Sequence, residues 1–280
     1  WGPVGLVLAS PLTVCLVVLG RHVPFLKFFD TLLGDHPALA PPYRFYQRLL
    51  AKDQDEAAEL AEDQLSGGTL AQVYDTVMVP ALALARGDQH LGKLDPDAQQ
   101  YLVDASLEIA EELGRQARSA HELATSAAQA VAGEGTTAIA AQAAVPVKLL
   151  TVPARDATDE AAVAMLQALM DPTRFSWKAA GSAHMASDVL ELIENETPAI
   201  LCIASVPPGG LAHTKYLCKR VRTRFPQLRI LVGRWGLLEE GLEKNREQLR
   251  LAGADCVSIT LADTAVQLQQ LAALTGTRGT

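Results

Sequence analysis

The spacing of apolar positions changes three times along the chain, and each stretch predicts a different kind of structure. Residues Gly2 to Gly20, GPVGLVLASPLTVCLVVLG, carry no charge and as a helix would span about 28 Å, close to the thickness of a bilayer core. A membrane helix is therefore predicted over residues 1–24. Arg21, His22 and Lys27 follow it, with Arg44 and Arg48 further on, so the positive-inside tendency expects an inner-membrane location with everything after the helix cytoplasmic. Gly2, Pro3, Gly5 and Pro11 suit a span that packs against neighbouring helices. Trp1 stands where a start Met would, which reads as an amino-terminal truncation with more membrane helices upstream. Two other readings stay open: a secretory signal, which lacks its basic leader here, and a buried helix or strand of a soluble domain.

From Pro41 to Gly133 the apolar period becomes helical, and breakers divide it at Pro41-Pro42, Ser66-Gly67-Gly68, Gly87 and Asp95-Pro96. Four helices are expected. The second, Asp53 to Leu65, is acidic on one side and offers Leu60 and Leu65 on the other; in the third, Pro80 marks a kink or a change of direction. The fourth begins at Asp97 and is long and amphipathic. His90 and His121 lie in this region with no ligand-spaced companions and read as surface or packing residues. From Ala130 onward Ala, Gly and Thr replace the helical period, so residues 134–145 are read as a linker.

Beyond the linker, over 146–280, short apolar runs alternate with amphipathic ones. Strands are predicted at Val147–Pro153, Phe175–Ala179, Ala199–Ser205, Arg229–Val232 and Cys256–Thr260. Helices are predicted at Thr158–Met170, Asp188–Glu194, Ala212–Phe225, Leu238–Leu251 and Asp263–Leu274. This alternation specifies an α/β domain with a five-stranded, parallel, doubly wound sheet covered on both faces. Ligands of such sheets sit at the carboxyl ends of the strands. Asp156, Thr158, Asp159, Ser205, Pro207, Gly233 and Arg234 fall there and form the candidate ligand cleft. For Asp156 to Asp159 a helix-capping role competes with ligand binding. No G-x-G-x-x-G follows the first strand, which argues against a dinucleotide site.

Composition narrows the function classes. The 280 residues carry a net charge of −8, with 49% apolar and 20% charged residues, so broad affinity for nucleic acid is not expected. Cys15, Cys202, Cys218 and Cys256 are widely separated and read as reduced, mostly buried thiols. Asp156, Asp159, Glu160, Ser205, His184 and His213 are the reactive side chains near the cleft; they show neither triad nor metal-ligand spacing, so no enzyme is expected. The basic helix His213 to Arg224 could face nucleic acid or the inner leaflet, but a solvated basic face accounts for it better.

A helical bundle followed by this α/β pattern resembles the cobalamin-binding modules of corrinoid methyltransferases, mutases and light-sensing repressors. In that family the loop after the first strand reads D-x-H-x-x-G, and its His is the lower axial ligand of cobalt. The matching stretch here is Asp156-Ala157-Thr158-Asp159-Glu160-Ala161, with Thr158 in the position of the His and Ala161 in that of the Gly. The S-x-L segment falls at Ala204-Ser205-Val206, and the Gly-Gly after the fourth strand is Gly233-Arg234, with Arg234 and Trp235 placed to crowd a corrin. The resemblance implies the fold. Its departures imply that cobalamin has been lost, or is held without an axial His.

Over nearly its whole length the chain also resembles the permease-like autoinducer-2 exporter family. The resemblance rests on GPVGLVLASPLTVCLVVLGRHVP, on FFDTLLGDHPALAPPYRFYQRLLAKDQDEAAEL, on Ile203 to Pro208 and on Thr214 to Arg220. It implies the carboxyl-terminal part of a multi-pass transporter: a last membrane helix, then a cytoplasmic regulatory or assembly tail ending in a degenerate cobalamin-binding-like domain. The partners it implies are the upstream membrane helices, an unknown small ligand and a second copy of the chain. A cobalamin-binding sensor is the alternative function.

Overall fold

The computed structural model describes residues 39–132, 146–236 and 241–276. The membrane helix expected over 1–24 and the linker expected over 134–145 lie outside these residues. Among the described residues, no helix is long and apolar enough to cross a membrane. Pro41 onward forms one compact unit in which a helical bundle and an α/β sheet share a core.

The bundle begins with α1 (Pro41–Leu50) and α2 (Gln54–Ser66), the second capped by the Asp53 carboxylate on the Glu56 amide. The next helical run opens at α3 (Leu70–Val73), where Thr69 and Gln72 cap each other reciprocally, and closes at α4 (Val79–His90). Between them Tyr74–Met78 form a π turn in which the Val79 amide reaches back to the Tyr74 carbonyl. Pro80 has no amide to donate and its ring would strike the carbonyl four residues earlier; the wider turn just before it relieves that conflict. Pro80 is thus absorbed without ending the run, and Gly87, expected as a breaker, lies inside α4.

Helix α5 (Pro96–Ala132) is 37 residues long, with Pro at its first position and the Asp95 side chain accepting from the Ala98 amide at 2.8 Å. It continues through Ala130–Ala132, where the composition predicted the linker to begin. Leu102, Val103, Ile109 and Leu113 bury its inner face; Arg115, Gln116 and Arg118 to Ala120 are exposed.

The sheet comprises β1 (Val147–Pro153), β2 (Phe175–Ala179), β3 (Ile200–Ala204), β4 (Arg229–Gly233) and β5 (Cys256–Ser258), all parallel, in the order β2-β1-β3-β4-β5. The helices between and after them are α6 (Ala157–Leu169), α7 (Ala186–Glu196), α8 (Leu211–Arg224), α9 (Leu242–Leu251) and α10 (Leu261–Gly276). The alternation read from the sequence is the observed one, and the bounds of β1 and β2 coincide with those predicted.

Alternate residues of β3 divide the core. Ile200, Cys202 and Ala204 face α6, α10 and the bundle, whereas Leu201 and Ile203 face α7, α8 and α9. Both faces are therefore covered, as parallel strands require. The bundle lies against one of them through the packing of α5 on α6. Cys202 and Cys218 are buried and Cys256 is half-buried, all as free thiols; burial pushes the first two up to about 12.

Candidate functional site

In a sheet of this order, the sense in which strands are added reverses between β1 and β3, and their carboxyl ends open a crevice between diverging loops. Here a side chain from the bundle enters it. Arg86, in the last turns of α4, has no solvent exposure and donates through Nη1 to Asp159 Oδ1 at 2.9 Å. The same nitrogen donates to the Val206 carbonyl, and Nη2 donates to Asp156 Oδ1. Asp159 Oδ1 in turn accepts from the Val206 amide at 2.8 Å. One guanidinium therefore ties the loop after β1 to the loop after β3.

The local sequence explains the placement of both carboxylates. Asp156 is the N-cap of α6, accepting from the Thr158 amide at 3.1 Å, and Asp159 lies in the first turn, where a negative charge is favourable. Asp159 is fully buried. Burial pushes its carboxyl up from the ordinary range, against the pull of Arg86 and the Val206 amide. Thr158 is 1% exposed and its hydroxyl lies 3.4 Å from Gln99 Nε2 of α5.

The remaining predicted residues close the adjoining side. Arg234 Nη1 donates to Ser205 Oγ at 2.8 Å, and both residues are buried. Trp235 is wholly buried; its indole lies so close to Gly233 that a Cβ there would fall 2.3 Å from the ring. Its Nε1 donates to Thr264 Oγ1 of α10 at 2.7 Å. Pro207 packs next to Gly236, whose φ of +150° and missing side chain admit it. The seven residues of the candidate cleft thus gather at one edge of the sheet, where protein side chains fill the space between them.

Two residues that sequence reading passed over reach this edge from the bundle. Arg86 is the first; the second is Asp75 of the π turn, whose two carboxylate oxygens accept from the Leu261 and Ala262 amides at 2.6 and 3.0 Å and so cap α10. A signal for Arg86 was present: it is the charge that directly ends the apolar run Val77 to Ala85.

No protein-family profile and no curated protein matches the chain. Among solved structures, the monomethylamine corrinoid protein of Methanosarcina barkeri superposes with a TM-score of 0.51 at 10% identity, covering 81% of this chain and 96% of that one. The fold is similar to that of a corrinoid protein. Two looser matches are a cobalamin-binding protein from Desulfitobacterium hafniense DCB-2 (TM-score 0.36, 12% identity, 81% of this chain and 97% of that one) and the methanol:cobalamin methyltransferase complex from Methanosarcina barkeri (TM-score 0.37, 14% identity, 85% and 86%). The similarity reaches the cobalamin-module part of the sequence resemblance and leaves the exporter part without support.

The corrinoid-protein fold raises the question of whether this chain's residues suit a corrin. Thr158, which the sequence resemblance aligns with the axial-ligand His, offers a hydroxyl in place of an imidazole and is covered by the bundle. Arg86 spans the crevice above it, and Trp235 occupies the space beside Gly233. In this arrangement the residues do not fit the group. Among the described residues, no cluster of three His, Cys, Asp or Glu side chains is arranged to hold a metal ion.

Proposed function

We propose that residues 41–276 form a non-catalytic regulatory module, built on a corrinoid-protein fold, in which the bundle's own Arg86 occupies the crevice at the sheet switch point. The observation that carries this reading is the complete burial of that guanidinium against Asp156, Asp159 and the Val206 carbonyl. A side chain from one layer that satisfies both loops of the other links the arrangement of the bundle to that of the sheet. The sequence resemblance of Gly2–Pro24 and Phe28–Leu60 to the exporter family supports attachment of this module to the membrane helices of a transporter, on the cytoplasmic side. In a full-length transporter, deleting residues 41–280 is then expected to change the regulation of transport while leaving the transport path in place.

A second reading, a cobalamin-binding sensor, is favoured by one observation: the similarity to a corrinoid protein spans bundle and sheet together. Titrating the 280-residue chain with hydroxocobalamin and adenosylcobalamin, followed by visible absorbance and thermal shift, separates the two. The regulatory-module reading expects no spectral change and no stabilisation. A saturable shift would support the sensor, with the bundle swinging Arg86 out to admit the corrin.

A further inference from the structure

Next to the filled crevice lies an open cavity of about 520 Å³ between the loops after β1, β2 and β3. Arg155, His184, Met185, Gly210, Ala212 and His213 line it. We propose that this cavity binds a phosphorylated small molecule. The inference goes beyond the function proposed above and does not depend on it.

Charge gives the first argument. The chain carries eight net negative charges, yet no carboxylate lines this cavity. Two acidic side chains that reach lining residues are turned toward backbone amides: Glu160 accepts from the Ser182 amide, and Asp188 Oδ2 accepts from the Met185 amide at 2.9 Å. Asp156 is taken by Arg86. Among the described residues, no Asp or Glu pairs with Arg155. Its one side-chain partner is a histidine, His90, with Arg155 Nη2 donating to its Nε2 at 3.2 Å.

The second argument is that the guanidinium is held in place. Arg155 lies across Gly209 and Gly210, both at positive φ; a Cβ on the first would fall 2.5 Å from Arg155 Nη1, and on the second 3.2 Å from Cδ. Only glycine permits this approach. His184 is fixed by its Nδ1 contact with the Gly181 carbonyl at 2.9 Å, and His213 projects from the first turn of α8. Gly210, the N-cap of this 14-residue helix, has no side chain to cap it. Three nitrogen-bearing side chains from three elements thus converge on a volume suited to a small metabolite, with a guanidinium fork that matches phosphoryl oxygens. Ala154, Ala183 and Met185 supply an apolar wall for the organic part of the ligand. Arg155 also touches His90, one turn beyond Arg86 on α4, so a bound phosphate bears on the bundle.

Calorimetric titration of the 280-residue chain with inorganic phosphate and with phenyl phosphate tests the proposal. Saturable binding is expected for both, tighter for phenyl phosphate because of the apolar wall. Arg155→Ala should weaken it by about tenfold or more. Ala212→Glu should also abolish binding; the position is exposed and an acidic residue suits the first turn of a helix, so this variant tests the site with the fold intact. Lys219→Ala, on the same helix away from the cavity, should bind as the parent does. No saturable binding by the parent chain, or equal binding by the Arg155 and Ala212 variants, would overturn it.

Discussion

Arg86 is worth more to this protein for what its loss would expose than for the contacts it makes. Two buried charges attract strongly, but removing both from water costs nearly as much, so the net contribution of such a pair is small. Removing one partner is different, because Asp159 would remain buried with no counter-charge. Arg86→Met, which keeps the bulk, is expected to lower stability by about 3–5 kcal/mol in urea denaturation. Asp75 behaves otherwise. Burial raises its carboxyl above the ordinary range, outweighing the Leu261 and Ala262 amides that pull it down. Below the unfolded-state value both states are protonated. As pH rises from there through the raised native value, the native state still holds a proton that the unfolded chain has shed, and stability falls. Asp75→Asn should remove that component, so the stability gap between variant and parent, measured from about pH 4 upward, should shift in the variant's favour as pH rises. Thiol chemistry adds a simpler expectation. Of Cys202, Cys218 and Cys256, only the half-buried Cys256 should react with a thiol reagent in the native state, since burial keeps the other two protonated and covered.

At the scale of elements, most of the α/β domain is legible in the sequence because its signals are local. Ile200–Ala204, ILCIA, is a continuous apolar run between Thr197-Pro198 and Pro207-Pro208, which is what a strand buried on both faces must be. The bundle is less legible where one element compensates for another: Pro80 looks like a break, and the π turn at Tyr74–Met78 that accommodates it leaves no mark in composition. Ala130–Ala132 lack a helical apolar period yet continue α5, because propagating a helix needs no buried face. The cleft residues were readable as a group from strand ends alone. What fills the cleft was not, since Arg86 and Asp159 are 73 positions apart and their meeting is a property of packing. Trp235 belongs to the same class. Its indole fills space that Gly233 leaves, and Trp235→Ala should cost about 3–5 kcal/mol by thermal or urea unfolding, through the cavity and through Thr264 losing its donor.

Across the whole molecule, two of the side chains that join the bundle to the sheet layer are acidic and basic counterparts: Arg86 enters the crevice at the switch point, and Asp75 caps α10. Both come from the single helical run between Leu70 and His90, so that run couples the two layers. Arg86 is also, in effect, a ligand tethered to its own receptor. Unlike a free molecule it cannot be diluted, and any outside compound that seeks the same crevice competes with an occupant whose local concentration is fixed by the covalent chain. If release of the arginine costs about 3–5 kcal/mol, a competitor's apparent affinity drops by about two to nearly four powers of ten relative to an open crevice. Only a compound of high intrinsic affinity, or one that arrives together with a force pulling on α4, would be registered. Under the regulatory function proposed above, the crevice would therefore be silent to weak ligands at ordinary concentrations.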